Sequence, residues 1–193
     1  MCIWLLGGVV NHPFILRRGY NFGGVYMHNF YLRQSSIYDG FDCYDMLQNI
    51  GSFEHHFVND VYGKSYDFYK DWLKLMDDWS VNKNLPDGYV QQTIFWFYLD
   101  DIPIGIGKLR HILSNRLMST CGGNLGYAID SRYRGKGYGQ VLVKLLINKA
   151  KELRIPTLVA SVLKDNEQSN KIMSRISSTI INENDSRRCY LLY

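Results

Sequence analysis

The sequence has little of what most quickly assigns a chain to a class. Four cysteines, Cys2, Cys43, Cys121 and Cys189, are scattered over 193 residues, and no two form a C-x-x-C pair. Zinc ligation by them is not expected, and neither is a disulfide framework in a chain of this length. Reduced thiols in a cytoplasmic setting are the expectation. Charge is nearly balanced, with 22 Lys and Arg against 18 Asp and Glu, a formal +4. Such a surplus suits a small anionic ligand and is too weak to argue for nucleic acid. Met1–Val10 is mostly apolar but too short to cross a bilayer, and no basic residue precedes it as in a secretory leader. No internal repeat or low-complexity tract is visible. No metal, nucleic-acid or membrane partner is expected.

What is present reads as one domain. Apolar residues make up 46% and charged residues 21%, close to the globular average. Residues 1–26 read either as preceding a natural start at Met27 or as an N-terminal extension packed on a domain of residues 27–193. Asp39–Asn49 predicts a short helix. Ser65–Trp79 predicts a longer one, capped by Ser65, with an apolar stripe of Tyr69, Trp72, Leu73 and Met76. Thr93–Leu99 and Ile102–Leu109 read as a hairpin about Asp100-Asp101. Then follow a strand over Asn124–Ile129, an amphipathic helix over Gln140–Leu153, a strand over Thr157–Leu163, a helix over Asn166–Arg175 and a closing strand over Arg187–Tyr193. Helices, an antiparallel meander and a strand–helix–strand–helix–strand tail make an α/β (α+β) domain.

The most informative segment is Arg132-Tyr133-Arg134-Gly135-Lys136-Gly137-Tyr138-Gly139, between a strand and a helix. Three alternating glycines let the backbone curl closely around a ligand. A helix N-terminus offers unpaired N–H groups and partial positive charge, and Arg132, Arg134 and Lys136 add formal charge. A pyrophosphate fits both features. The turn is neither G-x-x-x-x-G-K-[ST] nor the G-x-G-x-x-G of a dinucleotide fold.

The spacing Arg-Gly-x-Gly-x-Gly resembles the coenzyme A turn of the GNAT (Gcn5-related N-acetyltransferase) superfamily. Gly122-Gly123-Asn124 and Leu125–Ile129 stand where that superfamily has its central strand, and Asp165–Asn170 follows the next strand. Lys108–Leu113 leading into Gly122-Gly123-Asn124 resembles one branch of predicted acetyltransferases. The resemblance covers about residues 30–193. It implies a mostly antiparallel mixed sheet flanked by helices, with acetyl-CoA as co-substrate. It also implies transfer of acetyl to a primary amine, on a small molecule or peptide, by direct attack in a ternary complex. Cofactor contacts would fall to Ala128, Ile129, Arg134, Gly135, Lys136, Gly137, Tyr138, Gly139, Asn166 and Ser169. Backbone donors of a bulged strand at Tyr127, Ala128 and Ile129 would hold the oxyanion. His111, which titrates near neutrality, is the candidate base beside a structural reading of the same residue. Many members place a proton-donating Tyr one turn beyond the Asn; Lys171–Ile176 has none, and Ser177-Ser178 replaces a common Gly pair. The acceptor would be met by Tyr38–Asn84, with Asp39, Asp42, Asp45, Glu54 and Asp60 available to attract a cation, and His55-His56 either lining that cleft or solvated. A non-catalytic acyl-CoA sensor and a transferase for another acyl group are the alternatives; a homodimer is left open.

Overall fold

The computed structural model describes residues 16–17, 28–115, 121–176 and 178–193. The expectations for a start at Met27 and for an extension over residues 1–26 lie outside the described residues, Leu16–Arg17 excepted.

Ten strands and four α-helices are built from these residues. The strands are β1 (Leu16–Arg17), β2 (Asn29–Gln34), β3 (Phe53–Glu54), β4 (Phe57–Val58), β5 (Gln92–Leu99), β6 (Ile102–Arg110), β7 (Leu125–Ile129), β8 (Val159–Leu163), β9 (Thr179–Glu183) and β10 (Arg187–Leu191). The helices are α1 (Phe41–Gln48), α2 (Tyr66–Ser80), α3 (Tyr138–Glu152) and α4 (Glu167–Arg175). Eight strands form one sheet in the order β1-β2-β5-β6-β7-β8-β10-β9, and β3 and β4 pair separately. Every neighbouring pair in the large sheet is antiparallel except β7 and β8.

The core lies on both faces of this sheet. Along β5 all eight residues are buried, and alternation sends Ile94, Trp96 and Tyr98 to one face and Phe95, Phe97 and Leu99 to the other. The first set packs on α1 and α2 through Met46, Leu47, Tyr69, Trp72 and Leu73. The second packs on α3 and α4 through Leu142, Leu145, Leu146 and Met173. The stripe read on α2 is this buried face, and Ser65 caps that helix by accepting from the Phe68 N–H. Such a cap contributes about 1 kcal/mol.

Three strand pairs were not anticipated, one of them β1 with β2. All five β9 residues are exposed, so no apolar alternation marks it; pairing with β10 makes it a strand. The β3–β4 hairpin is too short to show a period. The expectation of reduced thiols is corrected at one place. Cys121 and Cys189 form a disulfide with Cα atoms 5.8 Å apart. They are 68 residues apart in sequence and meet beside Val159 only because β10 pairs with β8, which no local spacing could reveal. Cys43 is a buried free thiol.

Candidate functional site

A cleft opens where β7 and β8 part. The two strands share one register pair, Leu125 with Ala160, and then diverge. The opening has a volume of about 930 Å³. Both strands line it, together with the start of α3, α4 and the β3–β4 hairpin. That volume is in the range of small-molecule sites.

The ladder fixes which backbone groups face it. The Arg110 N–H donates to Asn124 O, and the Asp130 N–H donates to Ile104 O. With an unshifted β6–β7 register between these ends, Gly126 and Ala128 turn their backbone groups toward β6, and Tyr127 and Ile129 turn theirs toward the cleft. Ile129 O accepts from Arg134 Nε at 2.8 Å. Two expectations change here. Ala128 gives its backbone to β6, and the opening comes from strand divergence, since β7 carries no register shift against β6.

The glycine turn caps the cleft at the C-terminal end of β7. Gly135 and Gly137 have φ of +77° and +82°, a conformation strained for any residue with a Cβ. Gly137 is the N-cap of the 15-residue α3 and offers no side chain to cap it. The N–H groups of Tyr138 and Gly139 therefore lack intrahelical partners at the positive end of the helix. A Cβ on Gly139 would come within 3.1 Å of Ile172 Cδ1, which is how closely α3 approaches α4. Lys136 is exposed with its ammonium over the Tyr133 ring, and it does not line the cleft. Arg134 is engaged twice, at Ile129 O and, through a terminal nitrogen, with Glu54 Oε2 at 2.6 Å. It ties the turn to the β3–β4 hairpin.

At the start of α4, Asn166 Oδ1 accepts from the Ser169 N–H, and Ser169 Oγ is 2.9 Å from the Tyr127 hydroxyl. Burial raises the Tyr127 pKa, and the bond to Ser169 works against that rise. Tyr127, Asn166 and Ser169 are thus brought together, although 39 to 42 residues separate β7 from α4 here. His111 is not among them. Its Nε2 is bonded to Thr93 Oγ1 at 2.8 Å, burial lowers its pKa, and it does not line the cleft. Cys121 is bonded to Cys189 and offers no thiol.

On the opposite wall, Glu54, His55 and His56 line the cleft, the histidines as one of the two readings of His55-His56 had it, while Lys108, Arg110 and Arg187 were not anticipated there. His55 and His56 form the two-residue tip of the β3–β4 hairpin with φ of +45° and +68°. A turn of this hand usually carries Asn-Gly, and each side chain there costs about 1–2 kcal/mol. Edge contact with Phe53 holds the His56 ring, and an Arg187 terminal nitrogen donates to His56 Nδ1 at 2.9 Å. Burial, then the nearby Arg187 charge, lowers the His56 pKa. Of the acidic residues expected to draw a cation, Asp39 is buried against Arg33 and Trp96, and Asp45 pairs with Arg132. Among the five, Glu54 alone lines the cleft, and it is bonded to Arg134. Lys108 and Arg110 line it as well. The signal for them was two cations at alternate positions of an otherwise apolar strand.

Residues 42–178 match the family model described as the acetyltransferase (GNAT) domain. No curated protein matches the sequence. Among solved structures, RimL, the ribosomal L7/L12 alpha-N-protein acetyltransferase in complex with coenzyme A, aligns at TM-score 0.62 and 12% identity. The alignment covers 84% of this chain and 92% of that one. The ribosomal-protein-S5-alanine acetyltransferase from Vibrio fischeri aligns at TM-score 0.60 and 16% identity, over 91% and 95% of the two chains. The microcin C7 self-immunity acetyltransferase MccE, in complex with acetyl-CoA and AMP, aligns at 0.58 and 14%, over 84% and 91%.

Proposed function

The chain belongs to the GNAT acetyltransferase family, and from that premise we propose that it transfers acetyl from acetyl-CoA to a primary amine within a ternary complex. The observation that carries this reading is the uncapped start of α3, flanked by Gly135 and Gly137, facing the gap between β7 and β8. The coenzyme A held by RimL and the acetyl-CoA held by MccE, on the same fold, support the choice of donor.

The pyrophosphate is assigned to the N–H groups of Tyr138 and Gly139, where the helix end favours an anion. Asn166, the open backbone groups of Tyr127 and the N–H of Ile129 are assigned to the rest of the donor. The amine nitrogen attacks the thioester carbonyl carbon; a C–N bond forms and the C–S bond breaks. N–H groups already aimed into the cleft from β7 suit the transient oxyanion. The departing sulfur takes a proton from the Tyr127 hydroxyl, which like any phenol is protonated at neutral pH. The amine proton is assigned to water in the cleft, because the one lone pair of neutral His56, at Nδ1, is taken by Arg187.

A thermal-shift assay with acetyl-CoA, and with ATP and NAD as controls, tests the donor. At about 100-fold above its dissociation constant, acetyl-CoA should stabilise by about 2.7 kcal/mol, or roughly 5–10 °C. Thioester consumption with a panel of amines tests the transfer. A shift without consumption by any amine would favour a non-catalytic acyl-CoA-binding role. No shift in folded protein would remove the reading.

A further inference from the structure

The two cations on the inner face of β6 have no anionic partner. Lys108 and Arg110 share a strand face with Ile106, the face covered by α1 and α2. The Lys108 ammonium donates to Val58 O at 2.7 Å and lies over the Phe57 ring at 4.8 Å. Arg110 donates to Gly123 O at 3.2 Å. Among the described residues neither forms an ion pair, and Asp60 acts on Lys108 only at longer range. The residues outside the described set contain no Asp or Glu, so every carboxylate side chain of the protein is placed. Both groups are nonetheless desolvated. Burial pulls the Lys108 pKa down to about 8 and lowers that of Arg110. Holding two neighbouring cations in a half-buried wall, with carbonyls and one aromatic ring as their partners among the described residues, is costly. The cost is offset when an anion sits between them.

The donor does not account for them. Its pyrophosphate is assigned to the turn at the C-terminal end of β7, where Arg134, Lys171 and Arg175 also line the cleft. Arg110 stands opposite Asn124, five residues before the end of β7, or about 17 Å of extended strand away. Lys108 stands opposite Gly126, whose missing side chain leaves the ammonium open to the cleft. Arg187 comes from β10 to the same wall through His56. Among the described residues the single carboxylate lining the cleft, Glu54, is already taken by Arg134. A polycationic acceptor would meet unbalanced like charge here.

We propose that Lys108 and Arg110 form an anion subsite on the acceptor side of the cleft, and that the acceptor is an amine bearing its own carboxylate or phosphate. This rests on the acetyl-CoA reading above. Attraction between the acceptor's anion and this pair fixes where its amine stands and favours it over an uncharged analogue.

The test uses the full chain saturated with coenzyme A, so that the pyrophosphate turn is filled. Its melting temperature is followed on titration with inorganic phosphate and, separately, with acetate, against chloride at equal ionic strength. At about fivefold above its dissociation constant the bound anion should raise the melting temperature by about 3 °C. The rise should vanish in Lys108→Met and in Arg110→Gln, the second variant covering any failure of the first to fold. A response to phosphate alone, or to acetate alone, names the group carried by the acceptor. In the transfer assay, O-phosphoethanolamine over ethanolamine, or glycine over glycinamide, should be preferred at least tenfold in kcat/KM, and either variant should erase the preference. No shift with coenzyme A itself would overturn the acetyl-CoA reading and this proposal with it. A coenzyme A shift with no response to either anion, or a response kept in both variants, would overturn this proposal alone.

Discussion

Tyr127 presents two different parts of one residue to the cleft. Its backbone faces the cleft because of its place in the β6–β7 ladder, and its hydroxyl reaches α4 because odd positions of β7 point to that face. The stretch Lys171–Ile176 holds no tyrosine, so a hydroxyl from β7 stands beside α4 instead. Tyr127→Phe removes the hydroxyl and keeps the strand. We expect kcat to fall about 10²–10³-fold with coenzyme A affinity within about twofold of wild type, measured by thioester assay and calorimetry. An unchanged kcat would assign the proton to water. The glycines of the turn were legible from sequence because a positive φ is a local demand. The hydroxyl was not, since its partner Ser169 is 42 residues away.

The β3–β4 hairpin joins the two walls of the cleft. Glu54 takes Arg134 from the glycine turn, and His56 takes Arg187 from β10. The Arg134–Glu54 pair is largely solvated, so its worth to global stability is about 1 kcal/mol or less. Its consequence is local. Arg134→Ala should leave the melting temperature within about 4 °C, speed amide exchange at Glu54 and Phe57, and weaken acetyl-CoA binding. Unchanged exchange there would mean that the strained His55-His56 turn holds itself. At this scale the sequence spoke clearly only where a period had room to show. The α2 stripe and the β5 run did so; two-residue strands and the exposed β9 did not.

The whole molecule carries the cost of its cleft as a dependence of stability on pH. Lys108 has an ordinary pKa of 10.5 when unfolded and about 8 in the fold. Between these values the unfolded chain binds more protons, so this residue makes stability climb as pH rises from about 8, and its full penalty applies below that. Above pH about 10 the tyrosines oppose the climb, because burial raises the pKa of Tyr31, Tyr69 and Tyr98 and the fold keeps their protons. Lys108→Met should raise the melting temperature at pH 7 by about 3–8 °C. The gain over wild type should shrink between pH 8 and 10. A constant gain across that range would mean that packing, not charge, is responsible. By itself the sequence determined the helices, the long strands and the glycine turn, because periodicity, capping and glycine φ are properties of neighbouring residues. Only the tertiary structure decided that β7 and β8 part after one pair, and that His55 and His56 face Arg187. It alone set two cations of β6 in the wall of the cleft and brought Cys121 to Cys189. Those are consequences of which strand lies beside which, and sheet order is fixed by packing on both faces rather than by any local pattern.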